Sequence, residues 1–200
     1  GVDPADIVII GGGVVGTNAA KMAVGMGAKV MIFDRSLPRL RYLDDLFGGA
    51  VTTRYSTAET LRKAICRADM VVGAVLIPGA SAPKLIQRSM LADMKTGSVL
   101  VDVAIDQGGC AETSRPTTHE DPTYVIDGVV HYCVANMPGA MPRTSSEALN
   151  NATLPHVMAL ANKGIAALHD DEHLARGLNV AKGELVHPAV KEALSSLSAA

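Results

Sequence analysis

Three glycines near the start of the chain, Gly11, Gly13 and Gly16, have the G-x-G-x-x-G spacing of a phosphate-binding turn. They follow an apolar run typical of a buried strand and precede a stretch compatible with a helix. In that context Gly11 permits a tight turn, Gly13 lets the backbone approach a pyrophosphate, and Gly16 lets the helix pack on the strand. The N–H groups at the start of the helix, around Val14 and Val15, would face the anion. The pattern predicts a dinucleotide site, and a purely structural glycine turn is the alternative.

A single carboxylate lies where it would select the cofactor. Asp34 ends the second apolar run, 21 residues after Gly13, and would accept hydrogen bonds from the hydroxyls of the adenosine ribose. It would also repel a 2′-phosphate at that position, which favours NAD over NADP. Arg35 and Arg39 could in principle receive such a phosphate, but we expect Arg39 to line the adenine end and Arg35 to be solvated. NAD is therefore the predicted cofactor.

Strand-like and helix-like stretches alternate after this unit, as they do in parallel sheets with helical crossovers. Continuous apolar runs at residues 70–75, 98–104 and 129–134 are typical of strands buried on both faces. The predicted fold of residues 1–142 is therefore α/β, a Rossmann-type, doubly wound and mostly parallel sheet. The pattern is helical alone over residues 143–200, which predicts a C-terminal helical appendage.

Some local features carry predictions of their own. Thr144, with Glu147 three positions later, has the spacing of a capping box and predicts a helix start, and Pro155 is expected to restart that helix. Lys84 to Leu91 is expected to form a short helix. His131 alternates into an otherwise buried strand, so we expect a hydrogen-bond partner for its ring rather than catalysis.

Composition and charge restrict the class of protein. The 200 residues are 48% hydrophobic with a net charge of −2, which gives no reason to expect a nucleic acid or an anionic membrane as a partner. Trp is absent and aromatic residues make up 3%, so stacking platforms for bases are not expected. Cys66, Cys110 and Cys133 are widely spaced, which suits reduced thiols in the cytoplasm better than disulfides or a zinc site. No apolar segment approaches the ~20 residues that a membrane span needs. We expect a cytoplasmic protein without a bound metal.

Several stretches at the ends of the later strands closely resemble alanine dehydrogenase. They read VLIPG from Val75, VDVAIDQGGC from Val101, HYCVANMPG from His131 and NNATLP from Asn150. The resemblance runs from about Val2 to the C-terminal helices. The related nucleotide-binding domain of transhydrogenase shares the glycine turn and a Gln-Gly-Gly, but it typically lacks an acid equivalent to Asp106 and the string YCVANMP.

The resemblance implies the reversible oxidative deamination of L-alanine to pyruvate and ammonia, with hydride transfer from the substrate α-carbon to the nicotinamide ring. This chemistry needs a group for proton transfer beside the reacting carbon. Asp106 is the catalytic candidate and a cofactor contact, and the alternative is that it only caps the turn at Gly108 and Gly109. Asn136 and Met137 are expected near the nicotinamide, with Asn136 also near the substrate unless it is an ordinary turn residue. Further cofactor contacts are implied by the resemblance at Ser56, Val75, Leu76 and Val103.

The family's substrate lobe combines an N-terminal segment with the C-terminal helices. The resemblance places the family's substrate-carboxylate arginine and lysine, and its catalytic histidine, in a segment that has no counterpart in these 200 residues. We therefore expect residues 143–200 to belong to the substrate lobe, and the isolated chain to bind NAD without turnover and to form a homo-oligomer. The alternatives are a non-catalytic NAD-binding and oligomerisation module, or the nucleotide-binding domain of a transhydrogenase.

Overall fold

The computed structural model describes residues 1–75 and 82–197 of the chain. The chain divides into two compact units, Gly1–Met137 and Pro138–Ala200. This division falls between residues 137 and 138, whereas the sequence pattern placed it between 142 and 143. All the predicted site residues that the structure describes belong to the first unit.

Within the described residues, the first unit is built on a seven-stranded sheet. Its strands are β1 (Asp6–Ile10), β2 (Lys29–Asp34), β3 (Val51–Tyr55), β4 (Met70–Gly73), β5 (Val99–Asp102), β6 (Thr123–Ile126) and β7 (Val129–Tyr132). Their order is β3-β2-β1-β4-β5-β7-β6, and neighbouring strands are parallel except for β6 with β7. The predicted Rossmann-type, doubly wound sheet is thus confirmed. The strand order reverses between β1 and β4, so their carboxyl ends form the crevice at which such sheets bind ligands.

Helices cover both faces of this sheet. They are α1 (Val14–Gly25), α2 (Leu37–Phe47), α3 (Ala58–Ile65) and α4 (Arg88–Leu91). Because successive residues of a strand point to opposite faces, adjacent residues of β1 enter different cores. Ile9 belongs to one cluster with Ala20 of α1 and Leu43 of α2. Ile10 belongs to the other cluster with Ile65 of α3. This burial on both faces explains the uninterrupted apolar runs of the central strands.

The edge strand β6 was not predicted from the sequence. It joins β7 through Asp127 and Gly128, whose φ angles are 50° and 80°. A two-residue Asp-Gly loop with positive φ at both positions is a preferred hairpin connection. The Asp-Gly pair between TYVI and VVHY was therefore the signal that could have found this strand.

Part of the helix expected over Lys84 to Leu91 is extended instead. Only α4 is helical there, and Ile86 forms a parallel bridge with Ala111. The bridge draws this segment against the loop that follows β5. Pairing between chain segments distant in sequence has thus overridden the local helical preference.

The second unit is mostly helical, as expected. Its elements are α5 (Pro142–Lys163), α6 (Ala167–Asp170), α7 (Glu172–Ala175), β8 (Val180–Ala181), β9 (Glu184–Leu185) and α8 (Pro188–Leu197). The short antiparallel pair β8 and β9 was not predicted. None of the described helices has both the length and the apolar character that a membrane span requires.

The start and course of α5 differ from the prediction. The helix begins at Pro142 with Met141 as its N-cap, so Thr144 lies inside the helix and the predicted capping box is wrong. Proline suits the first helical position because its missing N–H would be unpaired there. The helix also continues through Pro155 without restarting. None of its described residues is buried, so water can satisfy the carbonyl that proline leaves unpaired.

His131 of β7 has the hydrogen-bond partners that its buried position requires. Its Nε2 lies 2.8 Å from Oγ1 of Thr113, and its Nδ1 lies 2.9 Å from the carbonyl oxygen of Val129. The ring also stacks on Tyr124, with 4.9 Å between the ring centroids. Burial lowers the pKa of His131, which favours the neutral imidazole in the folded protein. The expected hydrogen-bond partners of His131 are thus present.

This environment predicts that stability falls as the pH drops below about 6.5, the usual pKa of histidine. The unfolded chain then takes up a proton that folded His131 does not, and the free energy of unfolding decreases by up to about 1.4 kcal/mol per pH unit. Carboxyl groups with lowered pKa values, such as Asp69, matter only below about pH 4. Urea unfolding at pH 7.5, 6 and 5 measures the slope. His131→Gln should flatten it, whereas the exposed control His169→Gln should not, and equal slopes in the two variants would contradict the assignment.

Candidate functional site

The glycine turn lies at the carboxyl end of β1, and its three glycines have different surroundings. Gly11 has a φ of +100°, and a Cβ atom there would lie 2.6 Å from the carbonyl oxygen of Ala74. A Cβ atom on Gly16 would lie 1.9 Å from the carbonyl oxygen of Gly11. A Cβ atom on Gly13 would meet nothing within 4 Å among the described residues. The fold itself thus requires Gly11 and Gly16, whereas the space above Gly13 is open to a ligand.

The first turn of α1 is exposed to solvent beside this space. Gly13 is the N-cap residue, and no side chain of the described residues caps the helix through a hydrogen bond. Val14 and Val15 follow with 79% and 45% of their surface exposed. The unpaired N–H groups of this turn can therefore bind an anion such as pyrophosphate.

Asp34 lies at the end of β2, beside the glycine turn. Its Oδ2 accepts a hydrogen bond from the backbone N–H of Gly12 at 2.8 Å, and its Oδ1 accepts one from Ser36 at 2.8 Å. Each carboxylate oxygen has a second lone pair with which to accept from a ribose hydroxyl. The backbone N–H of Ser56 donates to the carbonyl oxygen of Asp34 at 3.0 Å, which brings Ser56 next to the same position.

Arg39 reaches back from α2 to the underside of the glycine turn. Its Nε donates to the carbonyl oxygen of Gly12 at 2.5 Å, and its Nη2 donates to Oγ1 of Thr17 at 2.8 Å. Its guanidinium also lies 4.7 Å from the centre of the Tyr42 ring. These contacts hold the glycine turn and use two of the five N–H donors of Arg39. Spacing in the sequence did not reveal this role of Arg39.

A small cleft of about 160 Å³ adjoins the turn at the switch point between β1 and β4. Its lining comes from segments after three strands and comprises Val15, Ala74, Val75, Val103, Ala104, Asp106 and Gln107. Four predicted cofactor contacts are therefore brought together: Val15, Val75, Val103 and Asp106. Leu76 lies outside the described residues. A larger cleft of about 1120 Å³ is lined by α3 and parts of β1, β2 and β3 and includes none of the predicted site residues.

Asp106 is exposed on a short 3₁₀ turn, Val103–Gln107, that follows β5. Its Oδ1 accepts a hydrogen bond from the backbone N–H of Asn136 at 3.3 Å. Asn136 has a φ of 54°, and its carbonyl oxygen lies 3.1 Å from Nε2 of His119. The structure thus brings Asp106 into contact with the segment of Asn136 and Met137. Spacing in the sequence does not reveal that these two regions are neighbours. His119 was not predicted to take part.

The alternative role of Asp106, as a cap of the turn at Gly108 and Gly109, does not agree with its contacts. Within the described residues, the N–H groups of Gly108 and Gly109 donate to the carbonyl oxygens of Ile105 and Ala104. The side chain that bonds the far end of the loop is that of Asp102. Asp106 is therefore left facing the cleft.

The Cys110 thiol is buried beside Asp102, just after the 3₁₀ turn that follows β5. Burial raises the pKa of the Cys110 thiol, and the neighbouring Asp102 carboxylate raises it further, so this thiol stays protonated. The part of the chain that the structure describes contains no cluster of three or more His, Cys, Asp or Glu side chains able to hold a metal ion.

Residues 1–188 match the family model described as "Alanine dehydrogenase/PNT, C-terminal domain". The chain belongs to this family. Among curated relatives it is 64% identical to the alanine dehydrogenase of Halomonas elongata over 194 residues, which is 96% of the chain and 52% of that relative. The chain therefore spans about half the length of the curated relatives it matches.

Two solved structures are similar to this chain over most of its length. An L-alanine dehydrogenase superposes with a TM-score of 0.88 at 56% identity, covering 98% of this chain and 54% of that one. A transhydrogenase from Sinorhizobium meliloti superposes with a TM-score of 0.72 at 28% identity, covering 94% of this chain and 51% of that one. The resemblance to alanine dehydrogenase is confirmed, and transhydrogenase is a related family. Alanine dehydrogenases are NAD-dependent oxidoreductases, in agreement with the predicted cofactor.

Proposed function

We propose that this chain is the NAD-binding part of an alanine dehydrogenase, which converts L-alanine, NAD and water to pyruvate, ammonia and NADH. The observation that carries the proposal is the continuity of the site. The open glycine turn, the Asp34 carboxylate and the cleft with Asp106 lie at the carboxyl ends of neighbouring strands. From Asp34 to Asp106, this arrangement offers successive positions for the adenosine ribose, the pyrophosphate and the reacting ring of NAD.

The described residues fit NAD at each of these positions. The space above Gly13 accommodates phosphate against the backbone, and the first turn of α1 supplies N–H donors and a partial positive charge. Asp34 supplies the acceptors for a ribose diol, with Arg39 and Ser56 close by. Val15, Val75 and Val103 supply apolar walls for the nicotinamide end. NAD bound there would supply the hydride acceptor.

Proton transfer is assigned to Asp106. Its carboxylate is exposed at the cleft, and the N–H of Asn136 orients one of its oxygens. From there Asp106 can accept a proton from an attacking water or from the carbinolamine formed with it, and return one in the reverse reaction. The side chain of Asn136 is assigned to the substrate because its backbone N–H donates to the Asp106 carboxylate. Met137, the next residue along the chain, is assigned to the nicotinamide end of the cofactor.

The proposal also covers the substrates, the assembly and the location of the protein. L-Alanine and pyruvate are the substrates in the complete enzyme, and residues 143–200 contribute to the substrate lobe. A homo-oligomer is supported by the exposed apolar side chains of α5. A cytoplasmic location is supported by three cysteines that carry no disulfide. A nucleotide-binding domain of a transhydrogenase is the weaker candidate, at 28% identity against 56%.

The role of Asp34 gives the direct test of cofactor binding. The wild-type chain should bind NAD more tightly than NADP in calorimetry, because the carboxylate accepts from the ribose and repels a 2′-phosphate. Asp34→Ala should lose about 1.5–3 kcal/mol of NAD binding, the range for hydrogen bonds to a charged group. Asp45→Ala removes an equal charge from an exposed position of α2 and should leave the preference intact. Equal affinity of the wild type for both cofactors would show that Asp34 does not face the ribose.

A further inference from the structure

Asp102, the last residue of β5, is fully buried and its carboxylate bonds both ends of the loop that follows. Oδ1 accepts from the N–H of Ala104 at 3.2 Å, near the start of the loop. Oδ2 accepts from the N–H groups of Cys110 at 2.8 Å and Ala111 at 3.2 Å, at its end, and from the hydroxyl of Ser114. A buried charge of this kind is tolerated only where such donors surround it.

A second side chain holds the same loop from its outer side. Nζ of the exposed Lys84 donates to the carbonyl oxygens of Gly108 and Gly109, the latter at 2.9 Å. The backbone beside Lys84 is paired with the loop as well. The N–H of Ala82 donates to the carbonyl oxygen of Gln107 at 2.9 Å, and that of Leu85 donates to Cys110 at 2.8 Å. The loop therefore has bonded anchors on both sides.

We propose that Asp102 and Lys84 are positioning residues that hold the loop of residues 103–111 closed and so fix Asp106 at the cofactor cleft. Neither residue lines the cleft, whereas Val103 and Asp106, which do, lie on the loop between these anchors. Their effect on the reaction is thus transmitted through the backbone of the loop. The inference rests on the proposed function, because it assigns the loop to the nicotinamide end of bound NAD.

The close packing around the anchor explains why the loop has one shape. A Cβ atom on Gly109 would lie 2.8 Å from Oδ2 of Asp102 and 2.7 Å from Cβ of Ser114. Gly109 has a φ of +77°, which favours glycine. Catalytic groups need placement to within about 0.5 Å, and a loop achieves this only when its supports are themselves fixed.

The test compares two ligands that differ at the nicotinamide end. NADH reaches the loop, whereas ADP-ribose carries the same adenosine and pyrophosphate but no nicotinamide. Asp102→Asn keeps the shape of the side chain but loses an acceptor, so NADH affinity should fall about tenfold and ADP-ribose affinity less than twofold. Lys84→Met should shift NADH affinity in the same direction by about threefold. Lys95→Met, which breaks an exposed ion pair with Asp69, is the matched control and should change neither.

Amide hydrogen exchange provides a readout that does not depend on a ligand. Faster exchange in Asp102→Asn should be confined to residues 103–111, with β1 and β2 unchanged. Parallel losses for both ligands, or no loss for either, would overturn the positioning role and leave the proposed function standing. A wild-type chain that bound neither ligand would overturn both. If Asp102→Asn does not fold, the comparison of Lys84→Met with Lys95→Met decides the matter, and no difference between them would overturn the proposal.

Discussion

Gly13→Ala is expected to lose NAD affinity by about 5- to 150-fold while its thermal unfolding without cofactor stays close to wild type. The added methyl group meets no described atom of the protein within 4 Å. It would enter the space in which we propose that phosphate approaches the backbone. Forcing a methyl group into a well-packed contact costs about 1–3 kcal/mol, and every 1.4 kcal/mol is about tenfold in affinity. Calorimetry with NAD and thermal unfolding of the apo chain measure the two quantities separately.

The neighbouring glycine should behave in the opposite way. Gly16→Ala places a Cβ atom 1.9 Å from the carbonyl oxygen of Gly11, which is backbone and cannot turn aside. We expect a loss of more than about 3 kcal/mol in the free energy of unfolding, large enough to prevent stable folding. Gly25→Ala lies in the same helix with open space around it and is the control, which should change neither NAD binding nor folding for the worse. If Gly13→Ala also unfolds the apo chain, Gly13 is structural and its assignment to phosphate is wrong.

The second large effect concerns turnover. Expressed as these 200 residues, the chain should bind NAD yet form no NADH from L-alanine. Hydride transfer requires the substrate to be held in near-attack geometry. Among the described residues that line the cleft, Asp106 is the one charged side chain, and its negative charge repels the carboxylate of alanine. An alanine-dependent assay with the Halomonas elongata enzyme as positive control measures this. Robust turnover would show that Asp106 and the segment of Asn136 suffice for the reaction.

The same preparation is expected to be a dimer or a larger species. Leu149, Val157 and Leu160 of α5 expose 65%, 55% and 38% of their surface, and an apolar face of this kind is usually buried by association. Light scattering gives the mass. Val157→Glu combined with Leu149→Glu should yield a monomer, whereas Asn151→Glu, on the opposite side of the helix, should not. A wild-type chain that is strictly monomeric at high concentration would contradict the assignment of this face.

The parts of the fold that follow from short-range pattern were predicted from the sequence, and the parts that depend on distant contacts were not. Glycine spacing, apolar runs and the acid after β2 are local, and they predicted the Rossmann-type sheet. The contacts of Arg39 with the glycine turn and of Lys84 with the loop after β5 join segments 27 and 24 residues apart, and no spacing rule encodes them. The prediction that Pro155 restarts the helix was wrong, because water can bond the backbone carbonyl that the proline leaves unpaired. The site residues therefore remain predictions, and the structure adds what holds them in place.

The hydrogen bond between Gly12 and Asp34 has a consequence for changing the cofactor. Exchanging NAD for NADP in an enzyme usually begins by removing the acid at this strand end, so that a 2′-phosphate is tolerated. Here the same carboxylate also accepts a hydrogen bond from the glycine turn, which is the proposed pyrophosphate site. A substitution of Asp34 would therefore change both the preference between NAD and NADP and the conformation of the glycine turn. A redesign for NADP must keep a hydrogen-bond acceptor for Gly12, as Asn or Ser at position 34 would, or the new specificity will come with a loosened turn.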